Sequence, residues 1–195
     1  MDDRDPRSDL ELVDAANRGD PAAFEALYRR HRDWVLSLAW RFTGNSHDAL
    51  DVLQETFTYL LRKFPGFRLT ASLRTLLYVA VRNRSIDVRR RRQRSVGGAR
   101  VDLMAQNPLE TAQDPGLSAQ NTASSAQRTD LSDLKIALGG LAPAHREILL
   151  MRFVDDLDLK EIAEALDVPL GTVKSRLHAA LEALRHDARA RDYFS

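Results

Sequence analysis

Residues 159–177 read LKEIAEALDVPLGTVKSRL and predict two short helices separated by a tight turn. In the first half, apolar residues recur at the spacing of one buried helical face, i, i+3, i+4 and i+7: Leu159, Ile162, Ala163 and Leu166. Asp158 can cap that helix, with Glu161 at the third position completing a capping box. Pro169 opens the second helix, where its missing N–H costs little. The stretch therefore predicts a helix-turn-helix.

The second of these helices has an outward face that suits nucleic acid. Val173 and Leu177 are expected to face the core, so the opposite side presents small, hydroxylated and basic groups. A helix anchored in this way offers its N-terminal residues to the major groove of DNA. The expected contacts are Thr172, Lys174, Ser175, Arg176 and His178. An ordinary αα-hairpin is the alternative, and the outward chemistry favours DNA binding over it.

Positive charge is concentrated in one segment of the chain. The formal net charge of the 195 residues is only +1, yet residues 71–94 contain eight arginines and a single acid, Asp87, an excess of +7. Such asymmetry is typical of proteins with a polyanionic partner. A solvated helix face and a membrane-surface helix are the other interpretations. Because no bulky apolar face continues after Ile86, the segment favours nucleic acid over a membrane.

The composition excludes several classes of protein. The chain has no cysteine, which excludes disulfides and thiolate metal sites and fits a reducing compartment. No apolar run approaches the ~18 residues that a membrane-spanning helix needs, and the acidic, mixed N-terminus does not resemble a signal peptide. No glycine pattern of a nucleotide-binding loop is present in the sequence. We expect a cytoplasmic protein with no membrane insertion, no metal and no cofactor.

Helical periodicity and Gly/Pro punctuation predict an all-α fold of two small domains joined by a linker. The first domain, 1–94, is expected to contain four helices, near 8–19, 21–44, 46–63 and 72–94. The third of them should bury Leu50, Leu53, Phe57, Leu60 and Leu61. Residues 95–129 are polar and rich in turn formers, which predicts a flexible linker. The second domain, 130–195, should contain helices at 131–139 and 143–154 and then the helix-turn-helix.

Taken in order, several segments resemble the extracytoplasmic-function class of bacterial RNA polymerase sigma factors. The resemblance extends over nearly the whole chain and lies in residues 19–31, 48–57, 72–83, 86–90, 141–149 and 159–177. It implies a sigma-2-like first domain, a sigma-4-like second domain that reads the −35 element, and a protein that is not an enzyme. It also implies binding to the β′ and β subunits of core RNA polymerase, to promoter DNA and to an anti-sigma factor.

The resemblance assigns −10 recognition and strand opening to the arginine-bearing helix and to the loop before it, residues 65–72. Arginines neutralise phosphates but carry no sequence information by that route, so discrimination requires a pocket for an unstacked base. Asn83 matches a family position that lines such a pocket, and the loop offers an aromatic ring for stacking. The −10 contacts implied in this way are Phe67, Arg82, Asn83, Asp87, Arg89 and Arg90.

A polar face on the predicted third helix leaves three interpretations. Asp48, Asp51 and Glu55 follow the spacing i, i+3 and i+7. Such a face is often simply solvated, and a metal-dependent nuclease or transferase would use its carboxylates for Mg²⁺. The resemblance implies instead that it docks on the coiled coil of the polymerase β′ subunit, through Asp48, Asp51, Gln54 and Glu55. A stand-alone helix-turn-helix regulator, which would bind DNA as a dimer and not bind polymerase, is the alternative to the whole assignment.

Four positions depart from the pattern of the family. Leu76 stands where tryptophan is usual, and Ala179 replaces a frequent arginine. Asp156 and Asp167 stand where glycine is common. Because Asp tolerates left-handed backbone geometry better than most residues, we expect the last two to adopt it. The first two predict changed contacts with the promoter.

Overall fold

The computed structural model describes residues 5–95 and 136–187. The chain divides between Arg100 and Val101 into two compact units, called here the N-terminal and the C-terminal unit. Both ranges are helical and contain no strand, which confirms the all-α fold. Within these ranges no helix is long and apolar enough to cross a membrane. The predicted linker lies outside the described residues apart from Ser95, so the boundaries at 94 and 129 stay predictions.

Between residues 5 and 95 the N-terminal unit contains four helices: α1 (Asp9–Asn17), α2 (Pro21–Thr43), α3 (Ser46–Leu61) and α4 (Leu73–Ser95). The long helix α2 packs against the other three, and α3 also packs against α4. The core between them consists of fully buried side chains that include Leu12, Leu27, Leu38, Leu60, Leu77 and Tyr78. Burial of such side chains is the main favourable contribution to folding.

Local signals in the sequence set the helix ends of this unit. Ser8 and Glu11 form the predicted capping box at the start of α1. The Asp20 side chain accepts from the backbone N–H of Ala22 at the start of α2. Gly44 ends that helix in the left-handed conformation with φ +75°, a geometry that glycine adopts at low steric cost.

The prediction of the buried face of α3 was wrong at two positions. Leu50 and Leu61 are each 52% exposed. Residues 50 and 61 are about three turns apart and therefore share one edge of the helix. The packing partners α2 and α4 instead cover a face formed by Ala49, Val52, Thr56, Phe57 and Leu60. A prediction from hydrophobic residues alone therefore included two exposed leucines and left out the smaller buried residues Ala49 and Thr56.

The C-terminal unit contains a helical segment at residues 136–140, then α5 (Pro143–Phe153), α6 (Leu159–Leu166) and α7 (Leu170–His186). Helix α7 packs on both α5 and α6. The core cluster of the C-terminal unit comprises Ala137, Leu141, Leu149, Ala180 and Leu184. The predicted helix at 131–139 lies partly outside the described residues. Asp156 and Asp167 both adopt positive φ, 55° and 52°, which confirms their expected left-handed geometry.

A buried arginine ties the first two parts of this unit together. Arg146 on α5 is 7% exposed. Its guanidinium donates to the carbonyl oxygens of Leu138 at 2.7 Å, Gly139 at 2.6 Å and Leu141 at 3.0 Å. These carbonyls lie at the end of the helical segment 136–140 or just after it, where intrahelical donors run out. Arg146 therefore satisfies a helix end by a tertiary contact.

Candidate nucleic-acid and polymerase interfaces

Helices α6 and α7 form the predicted helix-turn-helix. Asp158 accepts from the backbone N–H groups of Lys160 and Glu161, and the Glu161 carboxylate accepts from the Asp158 N–H at 2.8 Å. This confirms the capping box of α6. The left-handed Asp167 ends α6, and α7 begins three residues later at Leu170. Burial of Val173 then holds the start of α7 against the rest of the unit.

The five residues expected to contact duplex DNA all lie in the first two and a half turns of α7, although the structure gives them different exposure. Lys174, Ser175 and His178 are exposed, whereas Thr172 and Arg176 are half-buried at the flanks. The Ser175 hydroxyl donates to the Thr172 carbonyl oxygen at 3.0 Å, which leaves its lone pairs available to an incoming donor. Ala179 is exposed on the same helix and adds only a methyl group.

A single acidic residue, Glu182, follows the basic residues Lys174 and Arg176 along α7. Glu182 forms an ion pair with Arg185 at 2.6 Å, and its carboxylate lies 3.9 Å from the His186 ring nitrogen. Its carboxylate would repel a phosphate that approached this part of the helix. Glu182 thus lies one turn beyond His178, the last of the five predicted contacts.

The structure separates the predicted −10 residues of α4 into two groups. Asn83, Asp87 and Arg90 are exposed and follow the spacing i, i+4 and i+7, so they share one face. Arg82 and Arg89 are only half-exposed and lie on a different edge of the helix. The face of Asn83, Asp87 and Arg90 is called here the α4 outer face.

Arg89 is held inside the N-terminal unit. Its Nη1 donates to the carbonyl oxygen of Phe42 at 3.3 Å, in the last turn of α2. A cation is favourable there because the carbonyl groups of a helix C-terminus carry partial negative charge. Burial lowers the pKa of the Arg89 guanidinium below its usual value.

The last two turns of α4 contact the polar face of α3. Arg92 Nη1 lies 3.3 Å from Asp48 Oδ2, and Arg91 Nη1 lies 3.8 Å from Glu55 Oε1. The Asp48 side chain is only 15% exposed and also accepts from the Nδ2 of Asn45, the residue that caps α3. Asp51 and Gln54 are exposed. The face that sequence spacing predicted as one unit therefore has an inner end at Asp48 and an outer part at Asp51, Gln54 and Glu55.

The third interpretation of the α3 polar face, a magnesium site, requires several ligands close together. Within residues 5–95 and 136–187, no three His, Asp or Glu side chains are grouped so that they could hold a metal ion. Asp51 pairs instead with His47 on the preceding turn, at 3.8 Å.

The loop between α3 and α4 contains Phe67, which is half-buried. Its ring packs edge-on against Phe64, with centroids 5.4 Å apart, and Phe64 packs in the same way against Phe24 of α2 at 5.9 Å. Phe67 therefore belongs to an aromatic cluster and retains a partly exposed surface.

Two features beside this loop were not predicted from the sequence. The side-chain amide of Asn17 hydrogen-bonds the loop backbone at Gly66 and Phe67. Tyr59 of α3 is 38% exposed, with Lys63 Nζ 4.6 Å and the Arg84 guanidinium 4.5 Å from its ring centroid. Aromatic rings flanked by cations are typical of surfaces that bind single-stranded nucleic acid. The Tyr59–Lys63 spacing of i, i+4 was a visible signal, whereas the partner of Asn17 is about fifty residues away.

Both units match known families. Residues 27–95 match Sigma-70 region 2, and residues 137–186 match Sigma-70, region 4. The RNA polymerase sigma-E factor of Streptomyces coelicolor is 31% identical over 176 residues, which cover 89% of this chain and 90% of that protein. The ECF RNA polymerase sigma factor SigW of Bacillus subtilis is 28% identical over 178 residues, covering 91% and 95%. SigE of Mycolicibacterium smegmatis is 34% identical over 171 residues, but this chain spans only 63% of its length.

Solved structures share the fold. The structure of CnrH in complex with the cytosolic domain of CnrY has a TM-score of 0.60 at 21% identity and covers 90% of this chain and 93% of that chain. The sigma factor RpoE in complex with the anti-sigma factor NepR from Bartonella quintana has a TM-score of 0.59 at 21% identity, covering 83% and 94%. With region 2 and region 4 in the expected order and a relative above 30% identity along nearly its full length, the chain belongs to the extracytoplasmic-function class of RNA polymerase sigma factors, the non-catalytic subunits that direct promoter-specific initiation of transcription.

Proposed function

We propose that this chain binds core RNA polymerase through the β′ and β subunits and contacts a promoter at two elements. The predicted first domain, 1–94, would recognise and open the −10 element, and the predicted second domain, 130–195, would recognise the −35 duplex. The observation that carries the proposal is the segregation of exposed groups within the matched regions. DNA-binding chemistry lies on the α4 outer face and on the first half of α7, and an acidic surface lies on α3.

At the −35 element, α7 would enter the major groove with its N-terminal half. Lys174 and Arg176 would contact phosphates, while Thr172, Ser175 and His178 would contact base edges or phosphates. Phosphate contacts set affinity and register, and groove contacts set sequence preference. The carboxylate of Glu182, one turn beyond His178, supports an end to the contact before that residue.

At the −10 element, Asn83 would hydrogen-bond an unstacked base, because its amide offers both a donor and an acceptor. Arg90 would neutralise a phosphate beside it, and the partly exposed Phe67 would stack on a base. Arg82, Asp87 and Arg89 would complete the site, with Arg89 acting mainly through the end of α2. Extrusion of a base costs a few kcal/mol, which the captured single-strand contacts would offset.

For polymerase binding, Asp51, Gln54 and Glu55 supply the exposed part of the α3 surface, and Asp48 supports it from the inner end through Arg92. Charge complementarity of this kind sets specificity and encounter rate more than affinity. An anti-sigma factor is a proposed further partner, because both structures of similar fold were determined with a second protein bound. Function on polymerase also supports cytoplasmic residence.

The test is transcription by holoenzyme reconstituted from the purified chain and core polymerase, with a library of promoters. We expect enrichment of promoters that share a −10 and a −35 element. Lys174→Ala should reduce transcription only from promoters that contain the −35 element, and Ala179→Arg should increase it there. If the chain forms no complex with core polymerase at moderate salt but still binds duplex DNA, the stand-alone regulator is the correct assignment.

A further inference from the structure

Asn17, the last residue of α1, binds the loop that precedes α4. Its Nδ2 donates to the Phe67 carbonyl oxygen at 2.7 Å. Its Oδ1 accepts from the backbone N–H groups of Gly66 at 2.8 Å and Phe67 at 2.9 Å. One side-chain amide thus satisfies three backbone groups on two consecutive residues.

The loop has few local means of holding this shape. Gly66 has φ +95°, a conformation that most residues avoid. A Cβ built on Gly66 would meet nothing within 4 Å, so the surrounding side chains do not confine it. The hydrogen bonds of Asn17, the packing of Phe67 on Phe64 and the approach of Lys63 Nζ to the Phe67 ring hold this part of the loop.

Asn17 is itself held on a firmly anchored helix. Asp9, near the start of α1, accepts from Arg30 at 2.6 Å and lies 2.8 Å from the His31 ring nitrogen. Leu12 and Val13 of the same helix are buried against the unit. The Asn17 amide is therefore held in position relative to α2, and its hydrogen bonds hold the loop relative to the same helix.

A series of ring–cation contacts connects the loop to Arg84 of α4, the residue after Asn83. Lys63 Nζ lies 5.9 Å from the Phe67 ring centroid and 4.6 Å from that of Tyr59. The Arg84 guanidinium also contacts Tyr59 and lies 4.5 Å from its ring centroid. Arg84 follows Asn83 in sequence. A displacement of Phe67 would therefore disturb the surface beside Asn83.

We propose that Asn17 is a positioning residue for −10 discrimination: its three hydrogen bonds hold Gly66 and Phe67 in the geometry that receives an unstacked base. This inference rests on the proposed −10 function of the N-terminal unit. Gly66 is exposed and Phe67 is half-buried, so water can reach the backbone groups that lose a hydrogen bond when the amide is removed. Loss of Asn17 should accordingly change base preference far more than it changes stability.

The experiment compares holoenzymes that contain wild-type chain, Asn17→Ala, Asn17→Asp or Ser8→Ala. Each selects from single-stranded non-template oligonucleotides randomised over the −10 positions. Ser8→Ala is the matched control, because it removes the capping box of α1 without contacting the loop. Asn17→Asp retains the acceptor for two N–H groups but places an oxygen against the Phe67 carbonyl. Amide hydrogen exchange at Gly66 and Phe67 of the full chain is measured alongside.

We expect Asn17→Ala to lower the preference for the best −10 base by about tenfold, to speed exchange at Gly66 and Phe67, and to leave core polymerase affinity unchanged. Asn17→Asp should have a smaller effect, and Ser8→Ala should leave both preference and exchange as in wild type. Unchanged preference in Asn17→Ala, or an equal loss in Ser8→Ala, would overturn the inference while the wild-type selection still supports the proposed function. If wild-type holoenzyme selects no −10 sequence, the proposed −10 function itself fails and this inference fails with it.

Discussion

The guanidinium of Arg89 donates to the carbonyl oxygen of Phe42 at 3.3 Å, whereas the adjacent Arg90 is exposed on the α4 outer face. Consecutive arginines of one basic run thus have different surroundings. The first satisfies a carbonyl in the last turn of α2, and the second is available to a phosphate.

This difference predicts that substitution of Arg90 affects DNA binding and substitution of Arg89 affects stability. Arg90→Ala should weaken promoter binding and reduce its salt slope by about 1, because one phosphate contact is lost. Arg89→Ala should lower the free energy of unfolding by about 1 kcal/mol, the usual effect of a cation at a helix C-terminus. Urea unfolding and salt-dependent binding of the same variants check both. Equal salt slopes for the two variants would contradict the division.

The inner and outer parts of the α3 polar face should also respond differently. Asp51→Ala and Glu55→Ala should weaken core polymerase binding by on the order of tenfold, and the affinity that remains should depend less steeply on salt. Asp48→Ala should chiefly reduce stability by up to ~1 kcal/mol, because it removes the ion pair with Arg92. Asp33→Ala, an exposed carboxylate on α2, is the control. Titration of labelled chain with core polymerase measures each affinity, and a wild-type affinity in the Asp51 variant would remove that residue from the interface.

Docking of α1 should depend on pH through Asp9. Burial by itself raises the pKa of the Asp9 carboxyl, but hydrogen bonds and charge from His31 and Arg30 outweigh burial, so the pKa lies below its ordinary value of 3.8. A carboxyl with a lowered folded-state pKa contributes stability that is fully present above its unfolded pKa and is lost as pH falls through the folded one. The wild-type free energy of unfolding should therefore fall more steeply below pH ~4 than that of Asp9→Asn.

Asp14→Asn, which removes an exposed carboxylate from the same helix, controls for the loss of charge. Denaturant unfolding at a series of acidic pH values provides the measurement. Parallel curves for Asp9→Asn and wild type would show that this carboxyl does not contribute in the expected direction.

The buried guanidinium of Arg146 predicts a large effect in the C-terminal unit. Arg146→Met should lower the free energy of unfolding by about 3 kcal/mol, because three carbonyl oxygens lose a charged donor. Arg146→Lys should restore only part of it, since an ammonium lacks the planar fork of donors. Thermal unfolding of the full chain checks the order wild type, Lys, Met. An equal stability of the Met variant and wild type would contradict the role of these contacts.

Much of the architecture was predictable because helix formation depends on neighbours in sequence. The capping boxes at Ser8 and Asp158, the left-handed Asp167 and the buried Val173 all follow from residues three or four positions apart or from one residue's own backbone preference. The family likeness carried by ordered motifs was likewise visible in the sequence. It was confirmed by the matches to regions 2 and 4.

By itself, the sequence determined the helices, their ends and the sigma-factor class, because these depend on local periodicity and motif order. Only tertiary structure decided which side chains of those helices remain available. Arg89 binds Phe42, and Asn17 binds the loop at Phe67, across about fifty residues of sequence. Leu50 is exposed because no other helix of the described residues packs over its side of α3. Helical spacing places a residue on a face, but the packing of α2 against its neighbours decides whether that face is buried, paired or exposed.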